Sequence, residues 1–269
     1  MVVSLDSCND TTIQRYNDQT IYAMARNIKL TIRYDGTEYS GWQFQRNSRK
    51  TIQATIERAI KQITGQKPHL GGSGRTDAGV HALAQIANFK TRSPISLASL
   101  RQALNSMLPK DIVIYGAEEA GPHFDAQRSA KAKLYRYTIM NKDYLDPFIR
   151  RYAAKCFFPL DISLMRKGAR ALVGRHDFRS FRTTDGVEKD SVRTIKYIKI
   201  EKDGDLIYID IKANGFLYNM VRSIAGTLVE VGRGKFSVES VRGMLLAKDR
   251  RSSGPTMPAQ GLCLIAVEY

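Results

Sequence analysis

The sequence predicts an α+β fold of two lobes, each a mainly antiparallel sheet with helices on one face. Three observations point there. Period-two apolar runs bounded by turn residues alternate with stretches of helical period along the whole patterned region. The second half repeats the coarse element order of the first, although no close sequence repeat is present. A hairpin through Ile195–Ile200, the turn Lys202-Asp203-Gly204 and Ile207, Ile209 and Ile211 brings antiparallel pairing into the second half. A chain of 269 residues can form one large domain or two ordinary ones. The expected division is an extension over 1–25, a first lobe over 26–125 and a second over 126–269.

The extension is polar and aperiodic, and Met24 is a candidate start because patterned sequence follows it directly. Ile28, Leu30, Ile32 and Tyr34 alternate as a half-buried strand that ends at the Asp35-Gly36 turn. From Tyr39 to Arg46 aromatics alternate with amides, which suits either a base-stacking surface or an aromatic lid over a core. Thr51 caps a helix with Ile52, Ile56, Ala59, Ile60 and Ile63 on one face, closed by Gly65. Leu83–Phe89 reads as a strand, Ser96 caps a helix carrying Leu97, Leu100, Leu104 and Leu108, and Ile112–Tyr115 is a short strand.

In the second half, Lys131, Lys133 and Tyr135 share one face of a strand, with Leu134 and Arg136 on the other. A helix runs from Asp161 to Leu172. After Asn214-Gly215 comes a helix with Met220, Val221, Ile224, Leu228 and Val231, in which Arg222 is the single early charge. A lone cation at the margin of buried surface is costly without an anion. Ser237 caps a last helix with Val238, Val241 and Leu245, and Leu262–Val267 closes the chain as a strand.

Composition narrows the partners. The 42 Lys and Arg against 26 Asp and Glu give a net charge of +16, which favours a polyanion. Nucleic acid leads over a membrane because no basic amphipathic anchor and no transmembrane-length apolar run is present. Cys8, Cys156 and Cys263 stand far apart, and His69, His81, His123 and His176 show no paired metal-ligand spacing, so metal-free chemistry is expected. Without a secretory pattern at the N-terminus, the expected location is the reducing cytoplasm.

The chemistry is expected on the loop Gly71–Ala82, where glycines at 71, 72, 74 and 79 surround Arg75, Asp77 and His81. A Walker loop would need Lys-Ser/Thr after Gly74 and instead finds Arg75-Thr76; the dinucleotide fingerprint fails because Asp77 stands where its third glycine belongs. From these residues alone, a tight turn in which Arg75 pairs with Asp77 remains open.

The run Gly74-Arg75-Thr76-Asp77-Ala78-Gly79-Val80-His81 resembles the catalytic loop of the tRNA pseudouridine synthase A family through eight consecutive residues. Supporting matches are Tyr34-Asp35-Gly36, Gly41-Trp42-Gln43, Tyr135-Arg136-Tyr137, His176-Asp177-Phe178, Met220-Val221-Arg222-Ser223-Ile224 and Gly261-Leu262, in the family's order. Gln127 with Arg128, and Leu134, depart from residues frequent in similar proteins, and the extension is unmatched.

The resemblance implies ferredoxin-like, RRM-like lobes about a central basic cleft. It also implies isomerisation of uridine to pseudouridine in the anticodon stem and loop of tRNA by a homodimer without cofactor or metal. Asp77 would assist glycosidic cleavage, by attack at C1′ or by taking the C2′ proton. Arg222 would keep it ionised, and Tyr135 would pack on the uracil and take part in proton transfer. Arg75, Thr76, His81 and Leu262 would meet the target nucleotide, Arg75 by holding it extruded. Arg46, Lys131, Lys133 and Arg136 would contact phosphates. Two rival classes are a non-catalytic RNA-binding module of the same architecture, which needs the basic face but not Asp77, and a phosphate-handling enzyme.

Overall fold

The computed structural model describes residues 25–44, 50–183 and 190–269. The candidate start Met24, the extension before it and Arg46 lie outside the described residues. The architecture is α+β, built on one mostly antiparallel sheet that takes strands from both halves of the chain.

In the first half, β1 (Arg26–Tyr34) pairs antiparallel with both β3 (His81–Thr91) and β4 (Ile112–Ala120). The alternation predicted for β1 has a direct cause: Ile28, Leu30, Ile32 and Tyr34 are buried while Lys29, Thr31 and Arg33 turn to the other face. Helix α1 (Ile52–Thr64) starts where the Thr51 hydroxyl accepts from the Ala54 amide, and ends at Gly65, whose φ of 69° is left-handed. It packs on α2 (Leu97–Met107), capped by Ser96. A short strand β2 (Gly71–Gly72) lies on β3.

In the second half, β5 (Ala132–Met140) carries the short β6 (Ala154–Lys155) and pairs with β9 (Leu206–Ala213). The predicted hairpin is β8 (Val192–Asp203) with β9, and β7 (Gly174–Asp177) closes that edge. Helix α3 (Ile162–Arg170) is shorter than the predicted Asp161–Leu172. Asp161 is its N-cap, and Ala171 and Leu172 leave the helix through tighter bonds to Gly168 and Ala169. It packs on α4 (Met220–Gly232). Helix α5 (Ser240–Ala247) starts later than predicted: the Ser237 hydroxyl does accept from the Ser240 amide, but Val238 belongs to the turn before it.

The strand order is β4-β1-β3-β10-β5-β9-β8-β7, and its centre positions everything that follows. Strand β10 (Leu262–Glu268) runs parallel to β3 through Cys263↔His81 and Leu264↔Ala82, and antiparallel to β5 through Leu264↔Tyr135. Ala82, Leu264 and Tyr135 thus form one row across three strands spaced about 4.8 Å apart. The last strand of the chain brings the loop before β3 beside the middle of β5. A bulge in β10 between Leu264 and Ala266, and one in β1 before Tyr34, fall on this same row, where they re-aim side chains.

The aromatic stretch from Tyr39 proves to be a lid over the core. Tyr39 and Trp42 are buried, and the Trp42 indole lies where a Cβ on Gly72 would come within 2.5 Å. Of its aromatics only Phe44 is exposed.

Candidate active site

The glycine loop is held on both sides before any chemistry is considered. Backbone bonds join Trp42 N–H to Thr76 O at 3.1 Å and Gly79 N–H to Tyr39 O at 3.3 Å. Gly41, with φ 84°, lets the two segments touch: a Cβ there would sit 2.4 Å from the Thr76 carbonyl oxygen. The Thr76 hydroxyl meets the Tyr34 hydroxyl at 2.9 Å. From β3, buried Gln85 accepts from the Ser73 hydroxyl at 2.6 Å and donates to Gly74 O at 2.9 Å. Asp77 itself opens a turn closed by Val80 N–H to Asp77 O at 3.2 Å, with Gly79 at φ 78°.

That turn points the Asp77 carboxylate at α4. Its Oδ2 accepts from Arg222 Nη1 at 3.0 Å, with side-chain exposures of 23% for Asp77 and 17% for Arg222. Every other residue of α4 is buried, so Arg222 is the one side chain of this helix with partial access to solvent. The guanidinium is fixed further by Nη1 donating to Asn219 Oδ1 at 2.7 Å and Nε donating to Met257 O at 2.7 Å. Three acceptors on separate segments leave it little freedom to turn, as a planar fork allows and an ammonium does not.

Tyr135 completes the cluster from below. Its ring is buried and stands edge-on to Phe216 at 5.1 Å. Burial, and then the neighbouring Tyr34, Asp77 and Cys263, push its phenol well above the usual tyrosine range, so it remains a proton donor at neutral pH. Cys263, on the neighbouring strand, is pushed up to about 11 by burial and is a thiol there.

The remaining predicted residues divide clearly. Arg75 is exposed and engages no other described residue. Thr76 is buried with its hydroxyl committed to Tyr34. His81 opens β3 inside the core: Nδ1 lies 3.1 Å from both Asp35 Oδ1 and Gly36 N, and the ring is 5.2 Å from that of Tyr152. Leu262 is buried at the start of β10, opposite Tyr137. Lys133 Nζ donates to Ser73 O in the loop, whereas Lys131 is exposed. Arg136 lies on the opposite face of β5 from Tyr135, paired twice with Asp210 at 2.7 and 2.8 Å and stacked on Tyr208.

Sequence reasoning missed Asn219, the Met257 carbonyl, Phe216 and the Tyr34 hydroxyl as parts of the cluster. Asn219 adopts φ 60°, a conformation asparagine tolerates better than most residues, and its place before an apolar helix was the available signal. A backbone carbonyl leaves no trace in side-chain pattern, and Met257 had none. Among the described residues no group of three His, Cys, Asp or Glu side chains is placed to hold a metal ion, and no helix is long and apolar enough to cross a membrane.

Comparison with known proteins supplies independent findings. A family profile described as tRNA pseudouridine synthase matches residues 30–127 and 169–269. The tRNA pseudouridine synthase A of Thermoanaerobacter pseudethanolicus is 46% identical over 244 residues, covering 91% of this chain and 100% of that protein. Clostridium perfringens has a tRNA pseudouridine synthase A 2 that is 47% identical over the same shares of both chains. The tRNA pseudouridine synthase A of Citrifermentans bemidjiense is 47% identical over 245 residues, 91% of this chain and 98% of that one.

Proposed function

This chain belongs to the tRNA pseudouridine synthase family, and on that footing we propose that it isomerises uridine to pseudouridine in the anticodon stem and loop of tRNA, with Asp77 as the catalytic carboxylate. The observation that carries the assignment of Asp77 is its ion pair with Arg222 beside the Tyr135 ring, within a loop whose backbone is bonded on both sides.

The reaction breaks the N1–C1′ bond of uridine and forms C5–C1′, with C5 giving up a proton and N1 gaining one, so the product is an isomer. The enzyme must therefore assist departure of the base, retain it while it turns, and move one proton. Asp77 serves the first need by attack at C1′ or removal of the C2′ proton. Arg222 supplies its counter-charge and fixes its orientation in a partly buried place. Tyr135 lies under the base with its phenol still protonated at neutral pH, and its hydroxyl takes part in proton transfer. Arg75, exposed and engaged with no described residue, holds the target nucleotide extruded, which costs a few kcal/mol for a base taken from a stem. Thr76, His81 and Leu262 support this pocket from behind, through Tyr34, Asp35 and Tyr137.

The protein acts without metal or cofactor, as a homodimer in the cytoplasm, and its two lobes divide near residue 125. Lys131 and Arg46 contact tRNA phosphates. The net charge of +16 supports this partner. The test is to map pseudouridine in tRNA from cells lacking the protein and rescued with wild type or Asp77→Asn. Anticodon-arm pseudouridine should vanish in the deletion and return only with wild type. Unchanged modification in the deletion would refute the assignment.

A further inference from the structure

Lys133 is a partly buried cation of the central sheet that differs from three others. Lys29 pairs with Glu118, Arg136 with Asp210 and Lys212 with Glu268. Lys133 has no carboxylate partner among the described residues: its ammonium donates to the Ser73 carbonyl alone. An ammonium has three protons to donate, so two make no bond to the described residues. Burial holds it below the usual lysine range, as expected of a cation drawn from water without a counter-charge.

The loop is shaped to admit this side chain. A Cβ on Gly74 would come within 2.6 Å of Lys133 Nζ, so any other residue there would displace the ammonium. The two peptide carbonyls flanking this point are both taken, Ser73 O by Lys133 and Gly74 O by Gln85. Lys133 and Tyr135 stand on the same face of β5, two residues and therefore roughly 6.5 Å apart. Gly74 is three residues before Asp77. An uncompensated cation thus lies one side-chain row from the ring under the base, at the edge of the loop that carries the carboxylate.

From this geometry we propose that Lys133 and the bare Gly74 backbone form the subsite for one RNA phosphate, that adjoining the extruded uridine, and that this contact positions the sugar against Asp77. The inference rests on the isomerase reading above and adds to it a single defined phosphate. Lys133 is a positioning residue in this scheme, since it touches the backbone of the substrate and not the reacting atoms.

The test is a set of anticodon stem-loop RNAs, each carrying one methylphosphonate in place of a phosphate, assayed in single turnover with wild type, Lys133→Met and Gly74→Ala. With wild type, one neutralised phosphate next to the target uridine should lower kcat/KM about tenfold. Lys133→Met should lose that tenfold on native RNA and nothing more at that phosphate, while other positions add their usual losses. Its slope of log affinity against log salt should shrink by about 0.7 to 0.9, the share of one phosphate. Gly74→Ala, which keeps the lysine but crowds it, should reproduce the pattern in weaker form and serves if Lys133→Met fails to fold. Losses that multiply at every phosphate, or a variant impaired with no phosphate singled out, would mean that Lys133 only braces the loop and would overturn the proposal. Native RNA left unmodified by wild type would instead sink the isomerase reading.

Discussion

Arg222 and Asp77, 145 residues apart in the chain, meet at 3.0 Å, and the arginine spends its other bonds on Asn219 and Met257. Removing one member of a buried ion pair strands the other charge at a cost of about 3–5 kcal/mol, which partial solvent access here reduces to about 2. Arg222→Met is therefore expected to slow turnover about thirtyfold, because the carboxylate loses the contact that fixes it. Arg222→Lys should recover only part of this, because an ammonium cannot reach three acceptors in a plane. Single-turnover rates of both variants check this, with tRNA affinity measured alongside.

Tyr135→Phe keeps the buried ring against Phe216 and removes only the hydroxyl. If that hydroxyl moves a proton in the reaction, turnover should fall about a hundredfold, the lower end for general acid–base groups, with tRNA affinity unchanged. Release of tritium from uridine labelled at C5 reports the step directly. A rate within threefold of wild type would confine Tyr135 to stacking.

Gly41 and Gly65 form a controlled comparison for the loop. Both have positive φ, but a Cβ on Gly41 meets the Thr76 carbonyl at 2.4 Å, while one on Gly65 finds nothing within 4 Å. Gly65→Ala should cost about 1 kcal/mol, the backbone strain alone. Gly41→Ala should add about 1–3 kcal/mol of overpacking and shift the Asp77 turn, so activity falls with stability. Urea unfolding midpoints of the two variants measure the difference.

Asp35 ties the turn after β1 to the segment containing Tyr152. Burial raises its carboxyl pKa, but hydrogen bonds from the Thr37 hydroxyl and amide and from Tyr152, with His81 nearby, outweigh burial and hold it below the ordinary carboxylate value. A depressed folded pKa means the unfolded chain takes up its proton first as pH falls. The stabilisation is therefore complete above the unfolded value near 4 and is lost as pH drops through the folded value. Asp35→Asn should be less stable than wild type at pH 6 and show a shallower loss of stability below pH ~4.

Much of this was legible in the residues. The strand at Ile28–Tyr34 and the helix from Thr51 to Gly65 followed from side-chain period and caps, because local propensity and tertiary burial agree there. The catalytic loop stood out because it holds more glycines than its one turn, at Gly79, requires. In the structure Gly72 and Gly74 of the loop make room for Trp42 and Lys133, and Gly41 outside it makes room for Thr76 of the loop, all distant partners. What could not be read was the seam: nothing local in Leu262–Val267 says that it inserts between β3 and β5, and that insertion sets Asp77 beside Tyr135. Arg136 shows the same limit. Its alternation placed it away from Tyr135, but its Asp210 partner lies 74 positions later and only the sheet register reveals it.

The central claim is that Asp77 performs chemistry instead of anchoring RNA, and Asp77→Asn tests it with almost no change of shape. Pseudouridine formation should become undetectable while the Kd for tRNA stays within about tenfold, or 1.4 kcal/mol, of wild type. Turnover that persists, or affinity that falls as far as turnover does, would contradict the account.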